Sequence, residues 1–73
     1  MKIKPESAAK IIRRLEKNGF IFIHQKGSHR YYLKKEKGKH FLTSVPFYPG
    51  DLPVGTIAAI IRQSGLKREE FYR

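Results

Sequence analysis

The stretch Phe20–Lys34, FIFIHQKGSHRYYLK, decides the fold, because two apolar runs flank a single pair of turn residues. Gly27 and Ser28 are that pair, and glycine readily takes the positive φ that a two-residue hairpin turn needs. The pattern therefore predicts a β-hairpin with strands over Phe20–Lys26 and His29–Lys34.

The register of this hairpin determines which side chains share a face. With a two-residue turn, Lys26 opposes His29 and His24 opposes Tyr31, so these four lie on the same face. His29 stands at the exposed tip, with Lys26 and Arg30 on either side. Neighbouring positive charge disfavours the imidazolium form, so we expect a neutral imidazole that accepts a proton at pH 7. Such a group suits cleavage of a polyanion by general-base catalysis.

A helix precedes the hairpin, over about Ser7 to Asn18. Apolar residues recur along it at i, i+3, i+4 and i+7, the spacing of one buried helix face: Ala8, Ile11, Ile12 and Leu15. Ser7 is a good N-cap, and Gly19 suits the left-handed position that ends a helix.

A third strand and a second helix follow the hairpin. The polar turn Lys35–Gly38 leads into a strand over Lys39–Val45, and Pro46–Pro53 reads as a loop. The last helix runs from Pro53 or Val54 to Ser64 and stops at Gly65, after which Leu66 and Phe71 fold back onto the core. The order α-β-β-β-α predicts an α+β two-layer sandwich: a three-stranded antiparallel sheet with both helices on one face, in a single domain over residues 1–73.

The charge of the chain points to an anionic partner. Lys and Arg number 16 against 6 Asp and Glu, which gives a formal net charge of +10. A small soluble domain needs a net charge of only roughly 2–8 in magnitude. Nucleic acid, an acidic protein and anionic lipid are the partners that such an excess favours.

Cysteine content and hydropathy narrow the class of protein. There is no cysteine, which excludes disulfides and thiolate metal sites and fits a reducing compartment. No apolar run approaches the ~18–20 residues of a membrane span, and no apolar segment typical of a signal peptide is seen. We therefore expect a soluble, cytoplasmic protein.

The first helix also carries a basic stripe opposite its apolar face, made of Lys10, Arg13, Arg14 and Lys17. Three interpretations remain open: a solvated helix face, a surface that binds RNA phosphates, and a basic amphipathic helix on a membrane. The apolar stripe is needed for the core of the domain, which counts against the membrane.

Residue patterns for a metal site, a second catalytic histidine or a serine nucleophile are weak in this sequence. The three histidines lack metal-ligand spacing and the six carboxylates are scattered, so we expect no metal and no other cofactor. His24 is better explained as a side chain at the sheet margin and His40 as a surface residue. Ser28 is a good turn residue, and no oriented acid near it suggests a nucleophile–base pair.

Three short motifs, taken in order, resemble a known family. They are Gly19-Phe20 before the first strand, Gly27-Ser28-His29 at the hairpin and Gly55-Thr56 in the last helix. This ordered set resembles the HicA (YcfA-like) mRNA interferase toxins of toxin–antitoxin pairs, over nearly the whole chain. One departure is visible: many relatives carry a histidine shortly after a Val-Pro pair, whereas Phe47 and Tyr48 follow that pair here. The role of that second histidine is not carried over, although Tyr48 is a candidate to donate a hydrogen bond or stack on a base.

The resemblance implies a fold like the double-stranded RNA-binding domain, ribonuclease activity on mRNA and an acidic HicB-type antitoxin, with oligomers formed only through the antitoxin complex. It places the catalytic histidine at His29. We hypothesise a metal-independent endoribonuclease in which Lys26 and Arg30 steady the phosphate. The expected RNA-binding residues are Lys26, Gly27, Ser28, Arg30, Lys10, Arg13, Arg14 and Lys17. The rival from another class is a non-catalytic module that binds double-stranded RNA; a DNA-binding domain is disfavoured because no helix-turn-helix spacing is present.

Overall fold

The computed structural model describes residues 2–73 and confirms the α+β class. Its helices and strands follow in the order β1 (Glu6–Ser7), α1 (Ala8–Lys17), β2 (Ile21–Lys26), β3 (His29–Glu36), β4 (Lys39–Pro46), β5 (Asp51–Leu52), α2 (Val54–Ser64) and α3 (Arg68–Tyr72). The three long strands form an antiparallel sheet in the order β2-β3-β4.

The helices cover one face of this sheet. On that face Tyr32, Thr43 and Val45 are buried, whereas Leu42 and Ile21, whose register places them on the other face, are exposed. The core joins the covered face to the apolar stripes of the helices. The second face, called the open face below, is exposed at Ile21 and Leu42.

Helix α1 forms as its sequence predicts. The Ser7 side chain accepts a hydrogen bond from the backbone N–H of Lys10 and so caps the helix, and all four apolar-stripe residues are buried. Gly19 follows with a φ of +93°, the left-handed conformation that ends the helix.

Helix α2 buries Ile57, Ile60 and Ile61 against the sheet and ends at Gly65, which has a φ of +73°. A Cβ atom at Gly65 would collide with the ring of Phe41, so both conformation and space require glycine there.

Two parts of the fold differ from the sequence prediction. Residues 51–52, expected inside a loop, form β5 and pair with β1 in a small second sheet. The residues after Gly65 form the helix α3 rather than a single turn, and Phe71 in that helix is fully buried. Strands of two residues are too short to show alternation, so no sequence pattern predicts β1 and β5.

The second strand of the hairpin also extends further than its predicted end at Lys34. Strand β3 extends to Glu36, and the turn to β4 consists of Lys37 and Gly38 alone, both with positive φ. None of the helices within residues 2–73 is long and apolar enough to cross a membrane.

Candidate active site

The hairpin between β2 and β3 has the predicted two-residue turn. Gly27 has a φ of +59°, and the Gln25 side-chain amide donates a hydrogen bond of 3.0 Å to its carbonyl oxygen. The backbone N–H of Phe47 donates to the carbonyl oxygen of Ser28, which connects the tip to the end of β4. These bonds hold the backbone next to His29 in place while the tip stays exposed.

His29 lies between two strand neighbours, with Lys26 opposite it on β2 and Pro46 opposite it on β4. The predicted register is therefore confirmed, and Lys26 shares the open face with His29. Within residues 2–73 no hydrogen bond or ion pair is found on the imidazole, so both ring nitrogens are available to a ligand.

The histidine opens onto a groove of about 330 Å³ between β4 and α2. The groove is lined by His29, Ser44, Pro46, Gly55, Thr56, Ala59, Ile60 and Gln63. Gln63 is held from the sheet side, where the Thr43 hydroxyl donates a hydrogen bond of 3.0 Å to its side-chain oxygen. The site thus combines the hairpin with one helix.

The first turn of α2 contributes a favourable field for an anion. Its N-cap is Pro53, and no side chain caps the helix. The N–H groups of a helix's first turn have no partner within the helix and carry the positive end of its dipole. Gly55 and Thr56 bring this end of the helix to the groove that contains His29.

The structure places Arg30 and His29 on opposite faces of the hairpin. Adjacent strand residues point to opposite faces. The Arg30 guanidinium carbon lies 3.7 Å from the centroid of the Phe47 ring, and its Nε donates to the Gln25 side-chain oxygen at 3.2 Å. The same carbon lies 5.9 Å from the centroid of the Phe22 ring. Arg30 therefore packs beside the hairpin tip, on the face opposite the histidine.

The other two histidines occupy different surroundings. The rings of His24 and Tyr31 stack at a centroid distance of 4.6 Å with an interplanar angle of 14°, in the row next to His29 on the open face. His40 pairs with Lys35 near the far end of the β3–β4 ladder. Tyr48 lines a separate apolar pocket beside the start of α1, and it is not among the residues of the His29 groove.

The basic stripe of α1 lines a second groove, of about 360 Å³, against the C-terminal residues. It is formed by Lys10, Arg13, Arg14, Lys17, Tyr72 and Arg73. Arg14 is bound to the buried Glu6 carboxylate, and the Lys17 ammonium donates a hydrogen bond of 2.7 Å to the Arg73 carbonyl oxygen. Of the four basic-stripe residues, Lys10 and Arg13 therefore have no ion pair within residues 2–73, and Lys17 is partly engaged.

Sequence reasoning missed most of the groove wall. Ser44, Pro46 and Gln63 carry no pattern that marks a site, and only the fold brings them to His29. The Gly55-Thr56 pair is one of the three motifs in the sequence, but its position in the sequence does not predict that it lines this groove. Among the residues from 2 to 73, no three His, Asp or Glu side chains come together as a metal site would need.

Comparison with known proteins supports the resemblance. The model of a family described as HicA toxin of bacterial toxin-antitoxin matches residues 8–66, which include the hairpin and both long helices. No curated protein matches the chain.

Proposed function

The chain belongs to the HicA toxin family of bacterial toxin–antitoxin systems, and from this premise we propose that it is a metal-independent endoribonuclease that cleaves mRNA. Membership makes it the toxin of such a pair and implies an antitoxin partner. The observation that carries the proposal is an exposed, unengaged imidazole on a fixed hairpin, at the mouth of a groove that also receives the start of α2.

In the proposed reaction, RNA supplies its own nucleophile. His29 accepts the proton of the 2′-hydroxyl next to the scissile phosphate, a contribution of roughly 10²–10⁴ in rate. The 2′-oxygen then forms a bond to phosphorus while the bond from phosphorus to the 5′-oxygen breaks. The products are a 2′,3′-cyclic phosphate and a 5′-hydroxyl, whose proton comes from water or from a lysine or tyrosine side chain.

We place the scissile phosphate between His29 and the first turn of α2. Lys26 shares the open face with His29 and supplies positive charge beside the developing dianion. The amide groups of the α2 first turn also stabilise the negative charge of the phosphate, since helix N-termini bind phosphate readily. This arrangement replaces the pairing of Lys26 with Arg30 that adjacency in the sequence suggested.

The basic groove is the proposed path of the rest of the strand. Lys10, Arg13 and Lys17 border it, and contacts to phosphates give affinity without reading sequence. Since mRNA is the proposed substrate, the cytoplasm is the proposed place of action.

We also propose that the antitoxin is an acidic protein of the HicB type that competes with RNA for the hairpin. Opposite charges accelerate the encounter of two proteins, and this effect weakens as the salt concentration rises. A partner that covers residues 25–31 would protect the cell from the free toxin.

A pair of histidine variants tests the proposal. His29→Ala should lose cleavage of a labelled mRNA fragment by at least about a hundredfold, since general-base catalysis supplies that much. Its thermal unfolding should match the wild type, because exposed side chains contribute little packing. His40→Ala is the matched control, another exposed strand histidine, and should cleave normally. Cleavage retained by His29→Ala would remove His29 from the mechanism. RNA binding with no cleavage by the wild type would favour the non-catalytic RNA-binding module.

A further inference from the structure

Three aliphatic residues form one row across the open face of the sheet. Ile21 on β2 pairs with Leu33 on β3, and Leu33 pairs with Leu42 on β4. Ile21 is 62% exposed and Leu42 52% exposed, while Leu33 between them is half-buried. We call these three residues the apolar row.

The apolar row has no function within the fold. The core lies on the other face of the sheet and does not include these residues. Next to the row, Ile23 is 42% exposed where a bulge interrupts the pairing of β2 with β3. Contiguous apolar surface on a small soluble protein marks a place where a partner binds. The bulge on this edge strand works against indiscriminate strand pairing, so a specific partner is favoured over aggregation.

The chemistry of the surface identifies the class of partner. Aliphatic side chains give RNA neither a charge for its phosphates nor an aromatic ring for its bases. A second copy of the chain is disfavoured because each copy carries +10. An acidic protein with its own apolar patch matches both the row and the net charge of the chain. Membership of a toxin–antitoxin family implies an antitoxin partner, and we take this partner as the occupant.

We propose that the antitoxin docks on the open face, with the apolar row as its anchor. The docking proposal rests on the proposed function in one respect only: the expected consequence of docking is inhibition of RNA cleavage. Leu33 and His29 are four residues apart on β3, about 13 Å at the rise of a strand. An interface of ordinary size covers ~800 Å² on each partner, so an antitoxin seated on the row also extends over the His24–Tyr31 stack to His29. The residues that anchor the antitoxin are then different from those that cleave RNA.

The test uses charge substitutions in the row. Leu42→Lys and Ile21→Lys remove apolar burial while they raise the attraction to an acidic partner, so a loss of affinity isolates the apolar contribution. We expect each to weaken the complex with the cognate acidic antitoxin at least tenfold, measured by calorimetry in a His29→Ala background. With His29 intact, both variants should cleave RNA like the wild type yet escape inhibition. Val54→Lys, at an apolar residue 41% exposed on α2, is the matched control and should bind normally.

Three outcomes would overturn the docking proposal. One is wild-type antitoxin affinity in the double variant Ile21→Lys/Leu42→Lys, with folding checked by circular dichroism. Another is a loss of RNA binding with antitoxin affinity unchanged, which would assign the row to RNA. The third is a wild-type dimer that the same variants dissolve, which would assign it to a second copy. Failure of the ribonuclease proposal is distinguishable, because the calorimetry does not depend on cleavage.

Discussion

The Arg14 guanidinium donates two hydrogen bonds to the Glu6 carboxylate, with N–O distances of 2.5 and 3.1 Å. Glu6 is only 7% exposed. The guanidinium carbon also lies 4.8 Å from the centroid of the Tyr72 ring, so one arginine connects β1, α1 and α3. Arg14 is part of the basic stripe in the sequence, but its contacts are those of a structural residue.

We expect Arg14→Leu to destabilise the protein, because it leaves the buried Glu6 carboxylate without its partner. Removing one partner of a buried polar pair costs roughly 1–3 kcal/mol. Arg13→Leu, one residue earlier on the exposed side of the helix, should change the free energy of unfolding by less than about 0.5 kcal/mol. Urea denaturation of both variants measures the two changes in the free energy of unfolding. Equal stabilities would show that the ion pair contributes nothing measurable.

Tyr72 should give the protein an alkaline sensitivity. Burial raises the pKa of Tyr72 above its ordinary value of 10.0; the Glu6 carboxylate adds to this rise, and Arg14 and Arg68 oppose it. The unfolded chain therefore loses this proton first as pH increases. The stability linked to Tyr72 is fully present below pH 10 and is lost as pH rises through the pKa of the folded state.

Tyr72→Phe tests this linkage. The Tyr72 hydroxyl is buried and has no hydrogen-bond partner among residues 2–73, so its removal should leave stability at pH 8 unchanged or slightly higher. Between pH 9 and pH 11 the variant should lose less free energy of unfolding than the wild type. Tyr48→Phe, at an exposed tyrosine, provides the control and should follow the wild type at every pH. Parallel curves for Tyr72→Phe and wild type would contradict the linkage.

The basic groove should determine how RNA affinity responds to salt. The triple variant Lys10→Gln/Arg13→Gln/Lys17→Gln should flatten the plot of log K against log salt by roughly 0.7 per lost phosphate contact on a single strand. Removing three charges elsewhere controls for net charge: Lys35→Gln/Lys37→Gln/Lys39→Gln lies at the β3–β4 turn. If both triple variants change the slope equally, the groove is only a solvated face and the RNA follows another path.

Local rules were enough to predict the two long helices, the three long strands and the hairpin register. A two-residue turn admits one pairing, so the shared face of Lys26 and His29 followed from the sequence. The stop signals Gly19 and Gly65 worked because a positive φ at a helix end is a strong steric requirement.

The remaining features depend on which side chains meet across the fold, and local rules do not determine that. The expectation for Arg30 relied on adjacency to His29, although strand alternation separates neighbours onto opposite faces. Glu6 could not be recognised as the partner of Arg14, since nothing local distinguishes that arginine from the others in its stripe. The wall of the His29 groove comes from α2, about thirty residues further along the chain, and only the packed fold brings it there.

The proposed chemistry predicts a particular product and no need for metal. Because the nucleophile is the 2′-hydroxyl of the substrate, cleavage should continue in excess chelator at the wild-type rate. The fragments should end in a 2′,3′-cyclic phosphate or its hydrolysis product, and their partners should begin with a 5′-hydroxyl. A substrate with a single 2′-deoxynucleotide before the scissile bond should resist cleavage there while its binding is retained.

End-group analysis by mass spectrometry distinguishes the 2′-hydroxyl mechanism from attack by a metal-activated water. The water mechanism does not use the 2′-hydroxyl as its nucleophile and would fail in chelator. Cleavage of the 2′-deoxy substrate at the normal rate would remove the 2′-hydroxyl from the mechanism, and with it the task assigned to His29.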